Sequence, residues 1–573
     1  MYFMALAADY DGTIAHDGAV AKATLAALQR FKESGRRLVL VTGRELPDLK
    51  RVFPELGIFD KVVAENGALL YTPASEEEKP ISTAPSPDFV KALKKRGVKP
   101  LSVGHCIVAT WEPHQASCLE VINDLGLELE IIFNKGAVMV LPSGVNKATG
   151  LAAALKELGL SPHNVVGIGD AENDHAFMRA CGLSVAVDNA LPAVKDTADL
   201  VTKGKRGKGV EELVGKLIKH DHDLGISRRD GIRIGAEDDS DVAIWPTDTL
   251  LIAGSSGVGK STLATALTER FIQAGYQFCI VDPEGDYDGL AGAVGVGDGK
   301  TEPTAAQAVS LLEATDTNVI LNMLAVKVEE RPDFAADVLP EIAKFRLKTA
   351  RPHWLIVDEA HHLLPQNHQG VGQIVSGKLP GAVLITVHPD MMSADALKLV
   401  SAVIAIGPKA DKVVKALCKA TGLKPPAGMT PPKDKDKHVL FWRPGGNRKP
   451  VPVKVIEPKQ SLKRHSRKYA EGTLDEKGSF YFRGPGNRMK LRAQNLMIFQ
   501  QIAEGIDDGT WEHHLRKGDY SDWFRNQIRD KKLAAETREA EKDEGLSARE
   551  SRRIVLDAVR KRYTAPANAP DEK

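Results

Sequence analysis

Two aspartates stand one residue apart in DYDGT, where Asp9 and Asp11 close an apolar run near the start of a 573-residue chain. Residues i and i+2 of an extended strand point to the same face, so both carboxylates can converge just past the strand end, where Gly12-Thr13 permits a tight turn. Two carboxylates this close repel each other unless a cation lies between them, which points to Mg²⁺ on oxygen ligands. Three further stretches supply what phosphoryl chemistry needs. Thr42 follows the strand RRLVLV in VTGR and offers a hydroxyl to a phosphoryl oxygen. Lys147 opens a helix in GVNKATGL, so its ammonium and the helix N-terminus can face one anion. Asp170 and Asp174, in GIGDAENDHAFM, sit at another strand end and can complete a metal site.

A second constellation handles phosphates in another way. GSSGVGKST satisfies G-x-x-x-x-G-K-[ST] directly after the strand TLLIAG and before the helix STLATALTERFIQAG, the context a phosphate-binding loop requires. Gly254, Ser255, Ser256, Gly257, Val258 and Gly259 let backbone N–H groups wrap phosphates. Lys260 reaches the outer ones, Ser261 meets Mg²⁺, and Thr262 completes the loop. In HWLIVDEAHHLL the apolar strand ends at Asp358-Glu359: Asp358 supports the metal and Glu359 polarises the attacking water, which favours ATP hydrolysis over simple kinase chemistry. His361 and His362 are read as neighbours of that acidic pair and not as metal ligands.

The elements that must position these residues alternate. Short apolar strands and helical stretches over 1–220 predict a doubly wound α/β sheet with ligands at the carboxyl ends of its strands, interrupted at 72–140 by a small α+β insert. A second α/β rhythm spans 226–457, and 458–565 is charged and mostly helical; 566–573 reads as a disordered tail. Within the helical region Trp511, Tyr520, Trp523 and Phe524 form a stripe read as core. Residues 459–492 hold ten Lys/Arg against three Asp/Glu, with aromatics interleaved. That pattern suits single-stranded nucleic acid, and more readily a solvated basic surface or a dock for another domain.

Composition narrows the class. With 43% hydrophobic and 27% charged residues the chain reads as globular, and a net charge of +1 argues against a globally basic nucleic-acid binder. Five scattered cysteines show neither zinc nor disulfide spacing. The sequence lacks a basic, apolar leader, and no apolar run approaches the roughly 20 residues of a membrane helix. The expectation is a soluble, cytoplasmic, multidomain protein with no membrane partner.

DYDGT, VTGR, Lys147 and GDAEND together resemble the haloacid dehalogenase (HAD) superfamily of phosphohydrolases over about 1–218. ENGA at 65–68 and AVDNALPAVKDTADLVT resemble its Cof-type, sugar-phosphatase-like branch. The resemblance implies a Rossmann-like domain whose insert is a cap enclosing the site and selecting a small phosphomonoester, such as a sugar phosphate. It also implies that Asp9 attacks phosphorus to form an aspartyl-phosphate, that Asp11 is the general acid/base, and that Thr42 and Lys147 stabilise phosphoryl charge. Mg²⁺ would be held by Asp9, the Asp11 backbone carbonyl and Asp170, with Asp174 positioning the cluster. The insert is short for the branch. His105, Trp111 and Glu112 are candidates to read substrate, weighed against plain packing.

The phosphate-binding loop, the Asp358-Glu359 pair and IVDPEGDYDGL resemble the HerA/FtsK-type P-loop ATPases over about 226–410. That resemblance implies a hexameric ring in which an arginine reaches the neighbour's ATP, with Arg331, Arg346 and Arg351 as candidates and His388 as γ-phosphate sensor. The N-terminal β-barrel of HerA proteins is not evident, which weakens a DNA-translocating role. The reading is an Mg²⁺-dependent phosphatase fused to an ATP-binding and hydrolysing domain. The alternatives are a DNA-associated ATPase machine with the phosphatase as effector, a polynucleotide kinase–phosphatase-like enzyme, and a nucleotide-sensing regulator.

Overall fold

A computed structural model of the chain describes residues 2–134, 136–224, 227–238, 240–366, 368, 380–426, 429, 438–445, 449–459, 474, 476, 478–528 and 530–563. They form two compact units, 1–283 with 292–459, and 284–291 with 460–573.

In the first unit the short apolar runs become strands buried on both faces, as parallel sheets require. Ala5–Asp9 and Val165–Gly169 are buried at every position. Eight strands lie in the order Leu200–Val201, Leu183–Ala186, Val165–Gly169, Ala5–Asp9, Arg37–Val41, Lys61–Ala64, Leu69–Thr72 and Glu77–Pro80. The first six run parallel, Leu69–Thr72 runs against them, and Glu77–Pro80 pairs antiparallel with Leu69–Thr72. Ala5–Asp9 is central, so Asp9, Thr42 and Asp170 leave the sheet along one edge.

The insert builds its own antiparallel sheet in the order Leu129–Asn134, Ala137–Pro142, Val108–Trp111 and Ser102–Val103. The helices Pro87–Lys95 and Gln115–Asp124 pack on it through Phe89, Leu93, Cys118 and Val121. This unit begins at Pro87 and not at residue 72, because LLYT and EEKP fold back as a hairpin on the edge of the main sheet.

A second sheet of eleven strands carries the phosphate-binding loop. Its parallel part runs Ala402–Ile406, Thr249–Gly254, Ala382–Thr386, Trp354–Val357, Phe278–Asp282, Asn318–Asn322 and Ala293–Val296. Four antiparallel strands extend it past Ala402–Ile406: His438–Trp442, Val451–Val455, Ile232–Glu237 and Ser240–Ile244. The edge strand AVGV and these hairpins were not legible as strands in the sequence, being short, glycine-bearing or charged.

A polar seam joins the two α/β regions. The His163 ring stacks on Tyr276 at 4.0 Å between centroids, with its Nε2 2.8 Å from the Ala274 carbonyl oxygen. Arg351 donates to the Gly159 carbonyl at 2.9 Å, and His353 Nε2 lies 3.1 Å from Asn164 Oδ1.

The second unit contains the helices Leu496–Gly505, Asp508–Lys517, Asp519–Asn526, Lys531–Lys542 and Ala548–Tyr563, with a hairpin of Phe480–Phe482 and Leu491–Ala493. Its aromatic stripe is core: Trp511 stacks on Tyr520 at 4.3 Å, and Trp523 and Phe524 are buried in the same cluster. Position 226 and the tail at 566–573 lie outside the described residues. All five cysteines are free and buried. Among the described residues no helix is long and apolar enough to cross a membrane.

Candidate functional site

The strand Ala5–Asp9 delivers Asp9, almost fully buried, to the sheet edge. Lys147 meets it there. Asn146 caps the helix Lys147–Leu158, its side chain accepting from the N–H groups of Ala148 and Thr149, so the first helical side chain is fixed in direction. The Lys147 ammonium donates to Asp9 Oδ1 and to Asp174 Oδ1, both at 2.6 Å. The other oxygen of Asp174 accepts the backbone N–H groups of Asp170 and Ala171, each at 2.9 Å. Asp174 therefore has both oxygens engaged and orients the lysine and the Asp170 turn.

Asp9, Asp170 and Asp174 each present a carboxylate oxygen within 4.8 Å of the others, all buried. One ammonium faces three carboxylates. Burial, then the Asp174 carboxylate, pushes the Asp9 carboxyl up to about 7 against the pull of Lys147. Burial opposes the charge on Lys147, but Asp174 and Asp9 outweigh it and hold the ammonium above its ordinary value. An oxygen-only donor set with excess negative charge fits a divalent cation such as Mg²⁺, with Asp9 and Asp170 as the side chains that would hold it. Gly12 makes the turn possible: its φ is +89°, and a Cβ there would lie 2.3 Å from Asp170 Oδ2.

Thr42 is buried; its Oγ1 accepts the N–H of Arg44 at 3.2 Å, and its carbonyl accepts the N–H of Asn66 at 3.0 Å. Asp11 turns away from the carboxylate trio. Arg44 grips it through Nε to Oδ2 at 2.6 Å and Nη2 to Oδ1 at 2.8 Å. Its carboxylate is thus not among the metal-facing oxygens, leaving its backbone carbonyl for that role. Arg44 was missed in the sequence, although VTGR places it two residues past Thr42. Asn189 was missed as well: it donates to the Gly12 carbonyl and accepts the Arg206 N–H, bracing the turn after Asp11. Asn173 Nδ2 donates to Asn66 Oδ1 at 3.0 Å, in the GDAEND and ENGA stretches. Of the candidate substrate readers, Trp111 is 52% exposed, Glu112 is exposed, and His105 is held by Glu65 and Glu78.

In the second sheet Gly257 and Gly259 take φ of +76° and +104°, and the helix Lys260–Gln273 starts at once. Ser255, Ser256 and Gly257 are exposed, Val258, Gly259 and Ser261 partly so, and Thr262 is exposed on the first turn. Lys260 donates to the carbonyls of Gly254 and Ser255 at 3.1 and 3.2 Å. Asp358 is buried just past Trp354–Val357, its Oδ1 accepting the Glu359 N–H at 2.8 Å. Glu359 has φ of +42°, a left-handed geometry that costs a non-glycine residue and gathers at functional sites. Its Oε2 is 3.4 Å from His361 Nδ1, which also lies 3.2 Å from Thr386 Oγ1. Burial, aided by His362, His388 and Lys260, pushes His361 down to about 4, so it is a neutral ring beside the acidic pair. His388 is half-exposed, its ring 5.5 Å from His361.

The three candidate arginines serve the chain's own packing. Arg331 donates to the Pro283 carbonyl, Arg346 to those of His353 and Pro380, and Arg351 to Gln277 and to the carbonyls of Leu312, Glu313 and Gly159.

Residues 6–110 and 114–214 match the family model described as haloacid dehalogenase-like hydrolase, and 241–367 match that described as the central domain of helicase HerA. Phosphoglycolate phosphatase 2 of Saccharolobus solfataricus is 30% identical over 221 residues, 37% of this chain and 91% of the relative. Phosphoglycolate phosphatase of Methanothermobacter thermautotrophicus is 29% identical over 223 residues, 37% of this chain and 98% of the relative. A haloacid dehalogenase-like hydrolase structure from Bacteroides thetaiotaomicron aligns with 38% of this chain and 99% of its own at a TM-score of 0.33 and 20% identity. With the relative matched over nearly its whole length, the chain belongs to the haloacid dehalogenase-like hydrolases, and it carries a HerA-like P-loop domain in the same polypeptide.

Proposed function

We propose that the chain is an Mg²⁺-dependent phosphatase of small phosphomonoesters, working through an aspartyl-phosphate, with an ATP-binding and hydrolysing domain fused to it. The observation that carries this reading is the Lys147 ammonium set between Asp9 and Asp174 at 2.6 Å from each, inside a buried carboxylate trio. One Asp9 oxygen is held by Lys147, which orients the carboxylate and offsets charge as a phosphoryl group approaches. Bound Mg²⁺ would supply charge neutralisation of the phosphoryl oxygens. Asp9 attacks phosphorus and the P–O ester bond breaks. Asp11, once it has left the Arg44 fork and taken up a proton from solvent, gives that proton to the leaving oxygen. Asp11 then accepts a proton from water as the water attacks the aspartyl-phosphate, releasing phosphate and restoring Asp9. Thr42 donates its hydroxyl to the phosphoryl group. The cap over this edge favours a compact substrate, and the named relatives make 2-phosphoglycolate the first to test, ahead of sugar phosphates.

In the second site the loop from Gly254 to Ser261 would hold the ATP phosphates, Lys260 would release its loop carbonyls to meet them, and Ser261 with Asp358 would hold Mg²⁺. Glu359 would polarise the attacking water. We assign 1–220 to the phosphatase, 226–457 to the ATPase and 458–565 to an accessory region. The match of 241–367 to the HerA central domain favours a second reading, in which the ATPase acts on DNA and the phosphatase is its effector. Phosphate release from a panel led by 2-phosphoglycolate, with ATP turnover measured with and without DNA, tests both. No Mg²⁺-dependent phosphate release from any small phosphomonoester would sink the first reading, and ATPase indifferent to DNA the second.

A further inference from the structure

We propose that Glu65 is a positioning residue, a latch that fastens the cap to the catalytic loop and so sets which substrates the phosphatase accepts. The proposal rests on the phosphatase reading above. Glu65 follows the strand Lys61–Ala64 and is wholly buried. A buried carboxylate needs donors, and it finds them in the cap. Oε1 accepts the backbone N–H of His105 at 2.9 Å; Oε2 accepts those of Cys106 at 2.8 Å and Ile107 at 3.2 Å. The His105 ring adds Nδ1 at 3.2 Å from Oε1, while its Nε2 lies 3.3 Å from Glu78 Oε2. The fit is close: a Cβ on Gly104 would stand 2.6 Å from Glu65 Oε1.

The other end of the latch is the catalytic loop. Glu65 N–H donates to the Arg44 carbonyl at 2.9 Å, and Asn66 N–H to that of Thr42. Arg44 is the residue whose guanidinium holds Asp11. Glu65 thus grips Arg44 with its backbone and the cap with its side chain, and Asn66 beside it holds Thr42. The backbone is bent to do so: Glu65 and Asn66, neither a glycine, have φ of +51° and +53°. Such geometry persists only where the surroundings enforce it, and it gathers at clamps and switches. Around the latch, Ala68 of the main domain packs with Cys106, Ile107, Met139 and Leu141 of the cap. Met139 closes over the catalytic loop, its sulfur 3.6 Å from where a Cβ on Gly43 would sit.

The test compares full-length wild type, Glu65→Ala and Glu65→Gln. Hydrogen–deuterium exchange should rise at least tenfold at the amides of 105–107 in Glu65→Ala, with strands 5–9 and 249–254 unchanged. Glu65→Gln keeps one acceptor oxygen and should fall between. In Glu65→Ala the KM for the small substrate should rise more than tenfold while kcat falls less. The kcat/KM ratio of that substrate to the bulkier p-nitrophenyl phosphate should drop at least fivefold. ATP binding at Lys260 reports that the chain is folded. Unchanged exchange at 105–107 overturns the latch; faster exchange with an unchanged substrate ratio overturns its role in selection. Exchange rising throughout the chain would also overturn it, marking Glu65 as a folding residue. Loss of activity in Asp9→Asn tests the phosphatase reading separately, so the two ideas can fail independently.

Discussion

The phosphatase site and the P-loop site both suit phosphoryl groups, yet they concentrate charge of opposite sign. Around Asp9 three buried carboxylates face one ammonium. Around Lys260 the charge and the dipoles are positive: an ammonium, a glycine-bearing loop and the start of a fourteen-residue helix. A surplus of carboxylates suits a metal first and a phosphate through it, whereas a nest of N–H groups takes the phosphate directly and leaves the metal to residues such as Asp358. The sites also differ in how completely one chain builds them. Asp9, Lys147, Asp174 and the Asp170 backbone already form one chain of hydrogen bonds, while Lys260 is bonded to its own loop carbonyls. The core of the first site is joined before any ligand arrives; under the proposed function the second exchanges its lysine's carbonyl partners for phosphate.

The widest separation should come from a crossed pair of substitutions. Asp9→Asn is expected to cut phosphatase kcat by on the order of a thousandfold or more and to leave ATP binding intact, because the nucleophile acts as one unit with its partners. Lys260→Ala should do the reverse, removing ATP binding in a nucleotide-affinity assay while phosphatase turnover stays within about twofold. If either substitution silenced both activities in folded protein, the two sites would be one machine and the comparison would fail. Chelation comes next. EDTA should abolish phosphate release, and added Mg²⁺ should restore it; ATP binding measured without metal should weaken and persist, since the loop and Lys260 bind phosphate themselves.

What the sequence showed and what it hid divides along the same lines. Asp9, Thr42 and Asp170 were legible because each follows an apolar run long enough to be a buried strand, and a strand fixes where its last residue points. Lys147 and Lys260 were legible because each opens a helix. Arg44's hold on Asp11 spans 33 residues and Glu65's hold on the cap spans 40, so the short motifs VTGR and ENGA mark the residues without naming their partners. Arg331, Arg346 and Arg351 bond carbonyl oxygens that only the folded chain brings near, contacts that no local pattern announces. The insert's start at Pro87 was hidden because the hairpin pairing of Leu69–Thr72 with Glu77–Pro80 reads, residue by residue, like a charged loop.

A smaller effect tests how firmly Asp174 holds the first site together. In Asp174→Asn one side-chain oxygen can still receive Lys147, but an amide NH₂ then faces the N–H groups of Asp170 and Ala171, donor against donors. Groups that orient a metal ligand typically cost about 10–100-fold when changed. Phosphatase kcat/KM should fall in that range, with a higher Mg²⁺ requirement in a metal titration. A change below about threefold would mean that Lys147 is held well enough by Asp9 alone.

The smallest effect lies on the seam between the two regions. Asn164 precedes the strand Val165–Gly169 that leads into Asp170, and His353 precedes the strand Trp354–Val357 that leads into Asp358, so their contact ties together the far ends of the two site-bearing strands. His353 is buried and accepts the Gln277 N–H on Nδ1 at 3.0 Å, which puts its proton on Nε2, facing Asn164 Oδ1. A second proton would land on Nδ1 and break the bond to Gln277. Burial, with His163, Arg351 and Arg346 nearby, holds His353 well below its ordinary value. The sign follows from linkage. Above about pH 6.5 the ring is neutral folded and unfolded, and it adds no pH dependence. Below that the unfolded chain takes up a proton the folded chain refuses, so stability falls as pH drops, by at most about 1.4 kcal/mol per pH unit. Chemical denaturation of the full chain between pH 8 and 5 should show this slope in wild type, and His353→Gln should lose that share of it. Equal slopes in the two proteins would mean that His353 takes its proton without parting the seam, and that the two regions are held together by contacts such as Arg351 on Gly159 instead.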